Sequence, residues 1–292
     1  YWKKTELKAD ALWEFIDPSE TNDKKKKKAC SKILSYLLTE LDIKDLDEKM
    51  ESETVWDRAI NVLRGHSREA EITASTINFF LADSEDPFQK IVPEAWLTRP
   101  ASEPLLETTV MKKNGLEFLI IKISEFQLGL TKKVEKLLEQ SIAHSLIFDF
   151  RGNPGGSIRE AVRLVRLFTP EGKTIVFEKF KDSLQPDARY EGTRKKPVWN
   201  KRIGILLDHH TASAAELVAG ALQQLGLAKL IGKKTYGKRL IQDLFEWKGY
   251  PKVKMIRTVG FFYFQEEDLE RLGPLLPDFE GEPTLEWAMQ VL

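Results

Sequence analysis

The sequence predicts an α/β domain with parallel strands, and three observations carry that prediction. Leu146–Phe150, Ile203–Leu207 and Ala228–Ile231 are short, largely apolar runs, the signature of strands buried on both faces of a parallel sheet. The first two each lead through a tight turn into an amphipathic or apolar helix, so strand, turn and helix alternate. The turns carry the small and special residues that such connections need, Arg151-Gly152-Asn153-Pro154-Gly155-Gly156 after one strand and Asp208 to Ser213 after another.

Taken in order, residues 1–85 read as a helical segment. Apolar residues recur at helical spacing at Ile33, Leu34, Leu37, Leu38 and Leu41, at Trp56, Ile60 and Leu63, and at Ile72, Ile77, Phe80 and Leu81. The Lys24–Lys28 run reads as a solvated helix start behind Asn22-Asp23 rather than a phosphate or lipid patch. Pro87, Pro93 and Pro100 then break the pattern, and 86–114 reads as a linker. The core occupies 115–292. It opens with a strand at Leu116–Ile123 and a helix at Thr131–Gln140 whose inner face is Val134, Leu137 and Leu138. Beyond the strand at 146–150 comes a helix with Ala161, Leu164, Val165 and Phe168 on one side. Residues 181–200 are polar and read as a surface excursion. Ile203–Leu207, a helix over 214–225 and the strand at 228–231 complete the alternation, and no internal repeat is visible.

Bulk properties narrow the function. The 45 basic and 45 acidic residues balance, which argues against a nucleic-acid binder with its basic excess. The single cysteine, Cys30, excludes an intrachain disulfide. No apolar run is long enough to span a membrane. No signal-peptide core follows Tyr1, so any targeting segment is expected to have been removed or to lie outside this sequence. No HExxH and no clustered Cys/His site is present, and no metal or organic cofactor is expected.

The chemistry concentrates at two turns. Ser213 stands between a strand and a helix start, where free backbone N–H groups and the positive end of the helix dipole can stabilise an oxyanion. Ala212, Ala214 and Ala215 leave room for a substrate backbone. Taken alone, the pattern fits equally a serine that only caps a helix, the commoner role. A nucleophilic serine needs a base. His209 and His210 are near in sequence, but residues three or four before the nucleophile fall on the far side of such a turn. Lys238 is the better candidate, because its turn follows the third strand and can point into the crevice at the strands' carboxyl ends. It serves only when neutral, which burial favours. Gln242, four residues on, can hold the amine without adding charge. Gly232 to Lys238 also approaches a phosphate-binding loop, but Arg239 stands where Ser or Thr must follow.

These residues resemble the C-terminal processing, or tail-specific, serine proteases of family S41. Thr211-Ala212-Ser213-Ala214-Ala215-Glu216 resembles the family's S/T-A-S-A-x-E motif, and Lys238 stands 25 residues after Ser213, the family spacing of nucleophile and base. Gln242 matches its glutamine. Phe148 to Gly156 resembles the D-L-R-G-N-P-G-G strand and turn, and Gly273 to Asp278 the G-I-x-P-D segment; Asp86-Pro87-Phe88 to Pro93-Glu94 is a faint upstream match in which Phe88 replaces histidine. The resemblance implies a crotonase-like (ClpP/crotonase) ββα spiral core with an N-terminal helical segment. It implies Ser213, Lys238 and Gln242 as catalytic residues and Gly156 and Ala214 as oxyanion-hole donors, with Gly155 the alternative glycine. It implies unfolded or extended protein substrates and a bacterial periplasmic or otherwise extracytoplasmic setting. Oligomeric state is left open. About 25 residues separate Val92 from Leu116, too few for the PDZ domain that many relatives carry, so preference for free C-termini is not expected to follow. Two rival readings remain, a ligand-binding module like the retinoid-binding proteins and an acyl-CoA enzyme of the same fold. A serine-directed covalent probe and a CoA thermal-shift titration separate them.

Overall fold

The computed structural model describes residues 90–93, 106–181, 186–246, 253–265 and 272–292. The helices expected within 1–85, and the Asp86-Pro87-Phe88 and Glu94 matches, lie outside these residues. The chain divides into two compact units, one made of 1–99 with 242–258 and the other of 100–241 with 259–292.

The described elements are β1 (Lys90–Pro93), β2 (Leu106–Lys113), β3 (Leu116–Ile123), α1 (Leu130–Gln140), β4 (Ser145–Asp149), α2 (Ile158–Arg166), β5 (Thr174–Phe180), β6 (Ala188–Glu191), β7 (Arg202–Leu207), α3 (Ala214–Gln224), β8 (Lys229–Gly232), β9 (Leu240–Glu246), β10 (Val253–Tyr263), β11 (Phe279–Glu280) and α4 (Leu285–Val291). In the first unit, β1 pairs antiparallel with Val253–Ile256 of β10.

The second unit holds a six-stranded sheet in the order β11-β8-β7-β4-β3-β2. Five strands run parallel, and β2 alone is antiparallel, to β3. Asn114 and Gly115 make the two-residue β2–β3 turn with φ of 52° and 76°. That geometry is what right-twisted hairpin strands require and what the Asn-Gly pair tolerates. The strands alternate between two cores, as their period of two dictates. Leu119, Ile121, Leu146, Phe148, Ile205, Leu207 and Leu230 face α1, α2 and α3. Phe118, Ile120, Ile147, Leu206 and Ile231 face Ala288 and Met289 of α4. Phe148 stacks on Phe150 at 5.5 Å and meets Phe168 edge-on at 5.8 Å, joining the sheet to the segment that follows α2. A second sheet in the same unit pairs β5 antiparallel with β6 and with Gly260–Tyr263 of β10.

The strands and helices expected over 116–231 form within a residue or two of their sequence boundaries. Three features differ. The stretch read as a linker contains β1 and β2. The stretch read as a surface excursion contains β6, and its Trp199 is buried against the main core. The sheet is mixed rather than wholly parallel, because its β2 edge runs the other way.

Asp278 ties the segment before β11 to the sheet. Its carboxylate accepts from the Leu230 N–H at 2.8 Å, Gln223 Nε2 at 3.1 Å and Lys229 Nζ at 3.0 Å. Burial pushes this carboxyl up, but those donors outweigh burial and hold it below the ordinary aspartate value. Folding therefore favours the ionised form. The stabilisation is complete above the unfolded pKa near 4 and is lost as pH falls through the lower folded value. Asp278→Asn is expected to lower stability by about 1 kcal/mol at neutral pH. Urea titrations across pH check it, and the gap to the parent protein should close on acidification.

Candidate active site

Because β4, β7 and β8 are parallel neighbours, their carboxyl ends share one edge of the sheet, and the turns that follow them, 150–157, 208–213 and 233–239, meet there. A cavity of about 600 Å³ opens at the other edge, where Arg202 and Ile203 begin β7 and Lys229 begins β8. It is remote from these turns.

The first turn is built around Asn153, which is fully buried. Asn153 Nδ2 donates to the Ile123 carbonyl at 2.7 Å, and Oδ1 accepts the Gly155 N–H at 2.8 Å. Its own carbonyl accepts the Ala212 N–H of the next turn at 2.9 Å. Gly155 has φ of 111°, and a Cβ on it would come within 2.7 Å of Ser213 Cβ. Gly156 has φ of 126°, and a Cβ there would strike the Phe126 carbonyl oxygen at 2.4 Å. Only glycine permits both approaches. The residues flanking Gly156 pair with Phe126, through Phe126 N–H to Gly155 O and Ser157 N–H to Phe126 O, both at 2.7 Å. Beside the turn, Arg151 is clamped to Asp149, at 2.7 Å from Nε and 2.5 Å from Nη2, and donates to the Pro283 carbonyl at 2.6 Å.

Ser213 ends the second turn with φ of 54° and ψ of −119°. Apart from the hairpin residue Asn114, it is the one non-glycine residue at positive φ among those described. An L-residue there costs on the order of 1–3 kcal/mol and persists only where its surroundings enforce it. Ser213 is partly buried and stands directly before α3, whose first residue is Ala214. The first N–H groups of a helix have no partner within it.

Glu216, in the first turn of α3, is fully buried and joins the second turn to the third. One carboxylate oxygen accepts the Ser213 N–H at 2.8 Å. The other accepts from Thr235 Oγ1 and from the Gly237 N–H, the latter at 2.7 Å. The Lys238 N–H also donates to this carboxylate. Burial pushes the Glu216 carboxyl up from the ordinary glutamate range, and the bonds from Thr235, Gly237, Ser213 and Lys238 pull it back only in part. The Tyr236 N–H adds a second link, to the Thr211 carbonyl at 2.9 Å. Gly237, with φ of 90°, lies against Pro274, where a Cβ would come within 2.9 Å of the proline nitrogen. The third turn is thus also fixed to the 273–278 segment.

Ser213, Ala214, Gly155, Gly156 and the Lys238 backbone are therefore assembled from three turns of one unit. The Lys238 side chain is partly buried. Gln242 belongs to the stretch of β9 assigned to the other unit. His209 and His210 are exposed, their rings 3.9 Å apart. Sequence reasoning gave no role to Glu216 or Asp208. An acid at the third helical residue behind a serine is the capping-box signal, and it could have found Glu216.

A model of peptidase family S41 matches residues 117–272. The chain is 32% identical over 171 residues to a carboxyl-terminal-processing protease of Synechocystis, covering 58% of this chain and 39% of that protein. It is 35% identical over 183 residues to a carboxy-terminal processing protease of Bacillus subtilis, covering 60% and 38%. The chain thus spans about two fifths of the length of these relatives. The solved photosystem II D1 C-terminal processing protease superposes with a TM-score of 0.53 at 20% identity, over 66% of this chain and 54% of that one, a likeness of fold. The family match covers more than half of the sequence and contains all three turns, and the chain belongs to peptidase family S41.

Proposed function

We propose that this chain is a serine endopeptidase that hydrolyses peptide bonds of extended protein substrates through an acyl-enzyme on a crotonase-like spiral core. The observation that carries the proposal is the strained backbone of Ser213 at the start of α3, with its N–H on the same buried carboxylate as the backbone of Gly237 and Lys238. Strained turns that lift a serine to a helix N-terminus are a recurrent way to present a nucleophile.

In this reading neutral Lys238 takes the Oγ proton of Ser213 as Oγ bonds to the scissile carbonyl carbon. The negative charge that develops on the carbonyl oxygen is met by the Gly156 and Ala214 N–H groups. Gly156 fits that role better than Gly155, whose N–H is already given to Asn153. Collapse of the tetrahedral species breaks the C–N bond, and the Lys238 ammonium protonates the leaving amine. Water then attacks the ester, with Lys238 again accepting the proton, and restores the serine. Names of relatives that specify carboxyl-terminal processing support protein substrates for this chain.

Ser213→Ala and Lys238→Ala are each expected to abolish cleavage of an unfolded protein while leaving the circular dichroism spectrum unchanged. A serine-directed fluorophosphonate should label the parent protein at Ser213, read by peptide mass spectrometry. Retained cleavage in both variants would sink the assignment.

Glu216→Gln sets an amide NH₂ against a ring of donors. It is expected to cost about 1–3 kcal/mol in urea unfolding. Because the misplaced turns carry the reacting groups, cleavage should also slow about 10- to 100-fold under conditions where the variant is folded.

A further inference from the structure

We infer that Asp208 is a positioning residue for the oxyanion donors, holding the turn that carries Gly156 in register with the turn that carries Ser213 and Ala214. The inference rests on the peptidase reading above and adds to it a group that touches neither substrate nor nucleophile.

Asp208 follows β7 directly, and its carboxylate faces donors from two turns. The Gly152 N–H lies 3.1 Å from both Oδ1 and Oδ2. The His210 and Thr211 N–H groups each donate to Oδ1 at 3.0 Å. The Asp208 N–H in turn donates to Thr211 Oγ1 at 3.0 Å, and that hydroxyl lies 2.9 Å from the Phe150 carbonyl, which it can reach as a donor. One carboxylate thus folds its own turn and reaches across to a turn 56 residues earlier in the chain.

Only two other hydrogen bonds described here cross between these turns, Ala212 N–H to Asn153 O and Thr211 Oγ1 to Phe150 O. All three crossings lie on the sheet side, before Gly155 and Ser213 come into contact. The reacting end of each turn carries few side chains that could hold register, because Ser213 is surrounded there by Gly155, Gly156 and Ala214. Their smallness allows the close approach and leaves no side chains to lock it. Position is therefore imposed from behind, at these three crossings, of which Asp208 supplies the one that reaches Gly152. Two donors that must meet one oxygen lose much of their effect when displaced by an ångström.

The local part of this arrangement is an ordinary aspartate turn, and asparagine can reproduce it, since Oδ1 alone takes the His210 and Thr211 N–H groups and lies within reach of Gly152. Alanine reproduces none of it. The test compares Asp208→Ala with Asp208→Asn below their melting temperatures, measuring kcat and KM on an unfolded protein substrate and the amide ¹H–¹⁵N shifts of Gly152, Gly156 and Ala214. The expected result is a 10- to 100-fold fall in kcat for Asp208→Ala with KM within threefold, shifted Gly156 and Ala214 amides, and recovery of both readouts in Asp208→Asn. A kcat for Asp208→Ala within twofold of the parent, or a loss that follows melting temperature in both variants alike, overturns it. If Ser213→Ala cleaves as well as the parent, the peptidase reading has failed instead. The amide shifts then decide alone, moved in Asp208→Ala and restored in Asp208→Asn if Asp208 sets the register, unmoved if it does not.

Discussion

The buried carboxylate of Glu216 is the interaction on which the candidate site depends. A carboxylate out of water is tolerable only when its oxygens are taken up by donors. Here the donors are the Ser213 N–H, the Thr235 hydroxyl and the Gly237 and Lys238 N–H groups. These partners are separated by a helix and a strand, Ser213 standing 3 residues before Glu216 and the other three 19 to 22 residues after it. The acid therefore converts a local feature, the start of α3, into a long-range constraint on the turn after β8. Its place in the first turn of a helix adds the favourable end of the dipole. The same bond that takes the Ser213 N–H helps to hold that residue at its positive φ. The strain of the Ser213 turn and the placement of the Lys238 turn thus have a common support.

Glycine and alanine make that support possible. The turns pack closely through Gly155 against Ser213, Gly156 against Phe126 and Gly237 against Pro274, and at each a single Cβ would close to within 2.9 Å of a neighbouring atom. Gly232 does the same at the end of β8, where a Cβ would meet the Leu207 carbonyl at 2.2 Å. A few residues below, the packing logic reverses. Phe148, Phe150, Phe168 and Phe126 fill the core under the turns with large rings. Bulk beneath and bareness above leave the turns on a packed floor with few large side chains of their own.

What could be read from the sequence follows from the range of the forces involved. The strands of the six-stranded sheet from β3 to β8 and the helices α1, α2 and α3 announce themselves through apolar periodicity, because both sheet faces are covered and every residue of a strand such as β4 is buried. β2 does not, since it is an edge strand whose middle residues face solvent and whose composition, Leu-Glu-Thr-Thr-Val-Met-Lys-Lys, follows no buried face. β6 is short, polar and paired with β5 through a register irregularity, so nothing local marks it. The turns at Gly152–Gly156 and at Ser213 were visible because positive φ demands glycine and because a serine before a helix is a recognisable pattern. The functions of Glu216 and Asp208 were not, since their partners are backbone groups, which every residue has and no sequence advertises.

The two acids divide the work of preorganisation. Glu216 lies inside the protein, fully buried, and connects the Ser213 turn to the Lys238 turn; Asp208 lies nearer the surface and connects the Ser213 turn to the glycine turn. Neither needs to meet a substrate for its effect. A tetrahedral oxyanion must be matched by dipoles already fixed in place, because reorienting them during the reaction would return the energy that they supply. Backbone N–H groups are suited to that role only if the backbone itself cannot relax, and glycine-rich turns are the least able to resist by themselves. Placing an acceptor-only carboxylate behind each junction resolves the conflict, giving the flexible segments a fixed register without adding any side chain to the surface that the substrate would occupy.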